Sequence, residues 1–206
     1  MLRLFSLTLF LLFSLQSYSQ GDPRWETIIR MGDYCRYFIP DSDIGTNWRN
    51  KDFDDSDWPM GQTGFGRDDG DDNTILPGDG AITIYLRFEF DVPDLADIAD
   101  LMLDMDYDDG FVAYLNGTEV ARGLLEDPIS WNMEIIPFTE ASLYNGVKPE
   151  TFQMGAYIGT LLENGRNVLA VEVHNRKDFD MSSNVFLHAA VSAADSLYGP
   201  VPEWFG

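Results

Sequence analysis

The stretch from Gly66 to Asn73 reads Gly-Arg-Asp-Asp-Gly-Asp-Asp-Asn, with its oxygen-bearing side chains inside six residues. Hard oxygen donors packed this closely suit Ca2+, which gathers about six to eight of them. Asp69, Asp71, Asp72 and Asn73 are therefore candidate calcium ligands. The spacing is not that of an EF-hand, because Thr74 stands where the loop glycine would be and no Glu closes the loop. The competing reading is a solvated acidic loop. Asp104, Asp106 and Asp108 alternate along one segment and share a face, so they are either solvated or offset by a cation or an arginine.

A second group of residues suits sugar binding. An aromatic face matches the C–H-rich face of a pyranose, which makes Trp48, Trp58 and Trp131 candidate stacking platforms. Trp48 and Trp58 serve equally well as caps on a core, whereas Trp131 lies in an irregular stretch and is expected to be the more exposed. His174 and Asn175 can offer donors and acceptors to sugar hydroxyls. No catalytic set is expected. The chain has neither G-x-S-x-G nor H-E-x-x-H, and both histidines, His174 and His188, are flanked by strand residues. Asn116-Gly117-Thr118 matches a glycosylation sequon but reads more simply as a hairpin turn.

The elements that must position these residues are strands. Tyr34 to Ile39 is a short aromatic strand. Ile82 to Val92 places Ile82, Ile84, Leu86, Phe88 and Phe90 on one face at period two, and Leu101, Leu103, Met105 and Tyr107 alternate likewise. Phe111, Ala113 and Leu115 lead to Asn116-Gly117, with Glu119 to Arg122 returning. Val168 to Val173 and Val185 to Val191 are two more β-rich runs, with Leu169, Val171 and Val173 expected to pack inward opposite Phe88 or Phe111. Helical periodicity is confined to single turns at 95–99 and 156–162. The segment 124–159, with Pro128, Pro137 and Pro149, reads as a long crossing connection. Many short strands without a βαβ rhythm predict an all-β antiparallel sandwich.

Composition sets the outer bounds. With 206 residues, 45% hydrophobic and 14% aromatic, the chain is a folded domain of ordinary size rather than an acidic disordered tail. Its 35 acidic and 13 basic residues leave a formal charge of −22, which disfavours nucleic acid and anionic membrane surfaces as partners. Residues 1–19 have the form of a secretory signal peptide: Arg3, an apolar run from Leu4 to Leu15, then Ser17 and Ser19 before a cleavage point. That run is too short for the ~20 residues of a membrane span, so no membrane insertion is expected after signal removal. Export with Cys35 as the one cysteine leaves no intrachain disulfide. Residues 20–195 form the expected sandwich. Residues 196–206, with Pro200 and Pro202, read as a linker to a downstream domain absent from this chain.

Four motifs in order carry a family resemblance. Trp48 with Phe53-Asp54-Asp55-Ser56-Asp57-Trp58-Pro59, Tyr85 to Phe90 with Val92-Pro93, Asp106 to Ala121, and Asn167 to Asn175 resemble galactose-binding-like jelly rolls, including the sugar-binding domain of glycoside hydrolase family 2. Thr139 to Gly146 and Asp180 to Asn184 resemble the N-terminal region of secreted bacterial proteins in which such a sandwich precedes a spore-coat-protein-H (CotH) kinase-like domain. The resemblance implies a galactose-binding-like jelly roll, secreted or at the cell surface, acting as a non-catalytic accessory module. Its implied partners are a glycan or cell-surface glycoprotein and a downstream domain of the same protein. The alternative is a structural spacer or protein-docking module of a CotH-type protein.

Overall fold

The structure is a computed structural model and describes residues 22–67, 72–77, 82–133, 135, 139–176 and 181–206. The expected signal peptide, 1–19, and the expected calcium ligands Asp69 and Asp71 lie outside the described residues.

Two sheets face one another. The first contains β1 (Arg24–Ile29), β4 (Phe65–Arg67), β5 (Thr74–Ile75), β7 (Ile98–Tyr107), β10 (Glu150–Gln153) and β12 (Met181–Val191). The second contains β2 (Tyr34–Phe38), β3 (Met60–Gln62), β6 (Thr83–Val92), β8 (Gly110–Leu115), β9 (Thr118–Gly123) and β11 (Gly165–His174). The first sheet runs β10-β7-β12-β4-β5, with β1 also paired to β12, and the second runs β3-β2-β6-β11-β8-β9. The named strands pair antiparallel except β4 with β5. The predicted antiparallel jelly-roll sandwich is the observed fold.

Period-two alternation builds the core. Ile84, Leu86, Phe88 and Phe90 of β6 meet Leu101, Leu103, Met105 and Tyr107 of β7 across the sandwich, joined by Leu169, Val171 and Val173. Leu169 lies opposite Phe88, and Val173 opposite Phe111, as the alternation required. Each such side chain, fully buried, contributes about 1.5–3 kcal/mol by leaving water. Asn116 (φ 51°) and Gly117 (φ 94°) take the positive angles of a tight hairpin between β8 and β9. A Cβ on Gly117 would collide with Asn50 Oδ1. The expected helical turns are the short 3-10 segments Leu95–Asp97 and Gly155–Tyr157.

A smaller second core covers the outer face of the second sheet. Tyr85, Val112, Tyr114, Val168 and Ala170 point outward there, and Trp48, Trp58, Leu125 and Ile135 close over them. Arg87, also outward and buried, ties the overlying loop down: its guanidinium donates to the carbonyls of Trp48 and of Asn50 (3.1 Å) and pairs with Asp55 Oδ2 at 2.6 Å.

The segment 196–206, expected to be a linker, lies against the first sheet. Glu26 Oε2 accepts the N–H groups of Leu197 (2.8 Å) and Tyr198 (2.7 Å). Gly199 then exchanges two backbone hydrogen bonds with Thr27, of 2.8 and 3.1 Å, closing the free edge of β1. Trp204 packs edge-on against Phe186, with ring centroids 5.1 Å apart, and Phe205 lies 4.6 Å from the His188 ring. The tail docks because Phe186 and His188, on the outward face of β12, would otherwise leave an apolar strip in water.

Candidate functional site

A cleft of about 340 Å3 opens on the outer face of the first sheet, between the tail and β7. Three aromatic rings wall it, those of Trp25 on β1 and of Trp204 and Phe205 on the tail, and the Trp25 and Phe205 centroids are 5.4 Å apart. Met102, Asp104, Thr151 and Lys148 complete the lining. Strand geometry explains the arrangement. Met102 and Asp104 occupy the outward positions of β7, alternating with the core residues Leu101, Leu103 and Met105, and Thr151 is opposite Asp104 in the β10–β7 register.

The floor of the cleft is polar and held in place. Asp104 is 1% exposed, and its Oδ1 accepts the Thr151 hydroxyl at 2.5 Å. Its Oδ2 lies 3.2 Å from His188 Nε2, within ion-pair range but off the hydrogen-bond direction. His188 Nδ1 in turn meets Thr27 Oγ1 at 2.9 Å. Lys148 Nζ donates to the Gly206 carbonyl at the rim. A continuous polar line thus runs from the tail bridge at Thr27, through His188, to the cleft floor. A buried carboxylate is tolerable only with such partners.

A smaller cavity of about 150 Å3 adjoins along β7 and shares Lys148; Asp106, Glu140, Ser142 and Glu150 are among its lining. Burial raises the Asp106 carboxyl above its ordinary value, although the N–H groups of Ser142 (2.7 Å) and Leu143 (3.2 Å) act the other way. Asp104 and Asp106 of β7 are therefore not simply solvated. Asp104 and Asp106 are each satisfied by their own donors.

The residues proposed from sequence sit elsewhere. Trp48 (1% exposed) and Trp58 (8%) lie in the second core, where Trp48 stacks on Tyr85 at 4.2 Å and Trp58 on Phe38 at 5.1 Å. They are caps rather than platforms, because Arg87 pulls their loop onto the sheet and leaves neither ring face to solvent. Trp131 is half-buried at the edge of the same cluster. His174 is fully buried, its Nδ1 3.1 Å from Thr83 Oγ1 and its Nε2 3.3 Å from Glu172 Oε2, and Asn175 beside it is buried as well. Glu172 also accepts Tyr114 OH (2.5 Å) and Arg49 (3.0 Å). Burial alone would raise its carboxyl, but His174, Tyr114 and Arg49 together hold it below the usual range. This network stiffens the second sheet and does not reach the cleft. Of the described calcium candidates, Asp72 is half-buried. Asn73 is exposed, and its side-chain amide donates to the Thr63 carbonyl at 2.7 Å. Among the described residues, no group of three or more His, Cys, Asp or Glu is disposed to hold a metal ion.

Trp25, Trp204 and Phe205 were not singled out in the sequence. Two of them stand in a Pro-bearing tail that reads as a linker, and Trp25 is the second residue of a short strand with weak alternation. The signal available was the pair Trp204-Phe205 itself, since adjacent large aromatics are costly to leave in water.

No protein-family model matches the chain, and no curated protein matches it by sequence. Solved structures do. A β-glucuronidase from Ruminococcus gnavus in complex with D-glucaro 1,5-lactone is similar over 84% of this chain and 30% of its own, with 11% identity and a TM-score of 0.51. An uncultured Clostridium sp. β-glucuronidase is similar over 88% of this chain and 31% of its own, with 14% identity and a TM-score of 0.50. The likeness is one of fold. A β-glucuronidase from glycoside hydrolase family 2 overlaps 84% of this chain at 16% identity and a TM-score of 0.49. This chain spans 18% to 31% of the length of these three proteins. What is shown of the expected resemblance is thus the sandwich that such glycosidases carry.

Proposed function

We propose that this chain is a non-catalytic, exported accessory module that binds a neutral glycan weakly through the cleft between β7 and the tail, beside a larger domain such as a CotH-type kinase-like domain. The observation that carries the reading is the composition of the cleft: three aromatic walls over a floor of Asp104 and Thr151, with Lys148 at the rim. Aromatic faces suit the apolar face of a pyranose ring, and the Thr151 hydroxyl, which buried Asp104 orients, and the Lys148 ammonium suit its hydroxyls. Its volume of about 340 Å3 lies at the small end of ligand sites, which favours one or two sugar rings over a long chain. The fold likeness to β-glucuronidases supports carbohydrate as the ligand class. A shallow site of this kind is expected to bind at roughly 10 µM to 1 mM, about −7 to −4 kcal/mol. With a net charge of −22, uronate-rich polymers are expected to bind least at low salt.

The test is a glycan array followed by calorimetry on the best hit, repeated with Trp204→Ala and Trp25→Ala. Loss of binding in both variants, with the fold intact by circular dichroism, supports the cleft. Unchanged binding in both moves the site elsewhere. A blank array with folded protein supports the second reading, a spacer or protein-docking module. That reading is favoured by the burial of Trp48 and Trp58 and by the exposed Tyr34 (64%) and Met60 (54%) near the β2–β3 edge. Calcium at the 69–73 loop belongs to the same proposal. Ion binding at a hundredfold excess over Kd would add about 2.7 kcal/mol, so melts in EDTA and in millimolar Ca2+ are expected to differ, and superimposed curves remove calcium.

A further inference from the structure

The cleft exists only while the tail is docked. Trp204, Phe205 and Gly206 come from the tail, whereas Trp25, Met102, Asp104 and Thr151 come from the sheet. With the tail lifted, two of the three aromatic walls are gone and Asp104 faces open solvent. The tail is held in two places: by the Glu26 carboxylate under Leu197 and Tyr198 with the backbone bridge between Thr27 and Gly199, and at the cleft itself by Trp204 on Phe186, Phe205 on His188 and Trp25, and Lys148 on the Gly206 carbonyl. Arg24 adds donors to the carbonyls of Ala193 (2.7 Å) and Asp195 (2.5 Å). Residues 197–199 thus fasten the tail without lining the cleft, whereas Trp204 and Phe205 do both.

Resting on the glycan-binding reading, we infer that glycan occupancy of the cleft and docking of residues 196–206 form one coupled equilibrium, with Trp204 and Phe205 as the movable wall. A sugar that touches both the sheet and the tail has differential affinity for the docked state, and coupling between two such events is reciprocal. The bound sugar must tighten the tail by the same factor that docking gives to sugar binding. Whatever holds or pulls the tail then sets how well the cleft binds.

The amides of Leu197, Tyr198 and Gly199 report the tail directly, since each donates a hydrogen bond that is lost on undocking. Their hydrogen exchange is measured in the whole chain, without and with methyl β-D-glucopyranoside or methyl β-D-galactopyranoside as neutral single-ring probes. Calorimetry on the same samples supplies Kd. At a probe concentration nine times Kd the three amides are expected to exchange about tenfold more slowly, the factor 1 + [L]/Kd for a ligand bound only by the docked state. Edge amides of β9, on the other sheet, are expected to be unchanged. Probe binding with no slowing at the tail overturns the coupling and leaves the glycan reading standing. A calorimetric blank for both probes at millimolar concentration overturns the coupling together with the single-ring site on which it rests.

Discussion

Arg87 Nε and Asp55 Oδ2 lie 2.6 Å apart, joining the middle of β6 to the loop that carries Trp48 and Trp58. Two of the four motifs that carry the galactose-binding resemblance meet at this contact. Their joint task is architectural: Arg87 reaches the Trp48 and Asn50 carbonyls as well, so one side chain shapes the whole loop. Arg87→Met is expected to cost about 3 kcal/mol, because it strips a buried donor from two carbonyls and leaves Asp55 unpaired. Asp55 is partly exposed, at 27%, so Asp55→Asn is expected to cost about 1 kcal/mol. Urea melts of the two variants check the order.

The tryptophans divide by burial. Trp48→Ala empties a site in the second core and is expected to destabilise by about 3–5 kcal/mol. Trp25 is half-buried, and Trp25→Ala is expected to cost about 1 kcal/mol while removing a wall of the cleft. Denaturant midpoints measured in parallel test this. A Trp25 variant less stable than the Trp48 variant would refute the assignment of core and cleft.

Tail docking is expected to weaken in acid. Burial alone would push the Glu26 carboxyl up, but the N–H groups of Tyr198 and Leu197, with Ser196 and Arg24, outweigh it and hold the group below its ordinary range. A carboxyl lowered on folding contributes its stability above the unfolded pKa of about 4.3 and loses it as the pH falls through the lower folded value. Exchange of the Leu197 and Tyr198 amides, corrected for intrinsic rates, is expected to accelerate below about pH 4. Asp106, raised by burial, acts with the opposite sign, since its protonation in the fold relieves a penalty as the pH falls. Glu26→Gln is therefore the control: the tail-specific acid step is expected to vanish while the Asp106 contribution persists.

Cys35 is a packing residue. It is buried in the main core, and desolvation pushes its thiol well above the ordinary range. The thiolate is the reactive form, so labelling by a disulfide reagent at pH 8 is expected to be negligible in native protein and rapid in urea. Fast native labelling would place Cys35 at the surface.

The strands were legible where side chains alternate over many residues. In β6, β7, β11 and β12 a one-residue slip would turn every apolar side chain outward, so the alternation dictates the face, whereas the pairing of Leu169 with Phe88 was decided by the sheet. The Asn116-Gly117 turn was legible because few residue pairs accept two positive φ angles. Strands of two to four residues, β3, β4, β5 and β10, carry too few positions for a period to show, and the sheet they join decides them. The site was not legible. Trp48 and Trp204 are the same residue type in similarly irregular stretches, and nothing local distinguishes a cap from a wall. Tertiary structure decided it through long-range partners: Arg87 draws Trp48 inward across 39 positions, and Glu26, 171 positions before Leu197, draws the tail over Phe186 and His188. Side-chain periodicity is a local property of the chain, whereas a cleft exists only where segments remote in sequence close on one another.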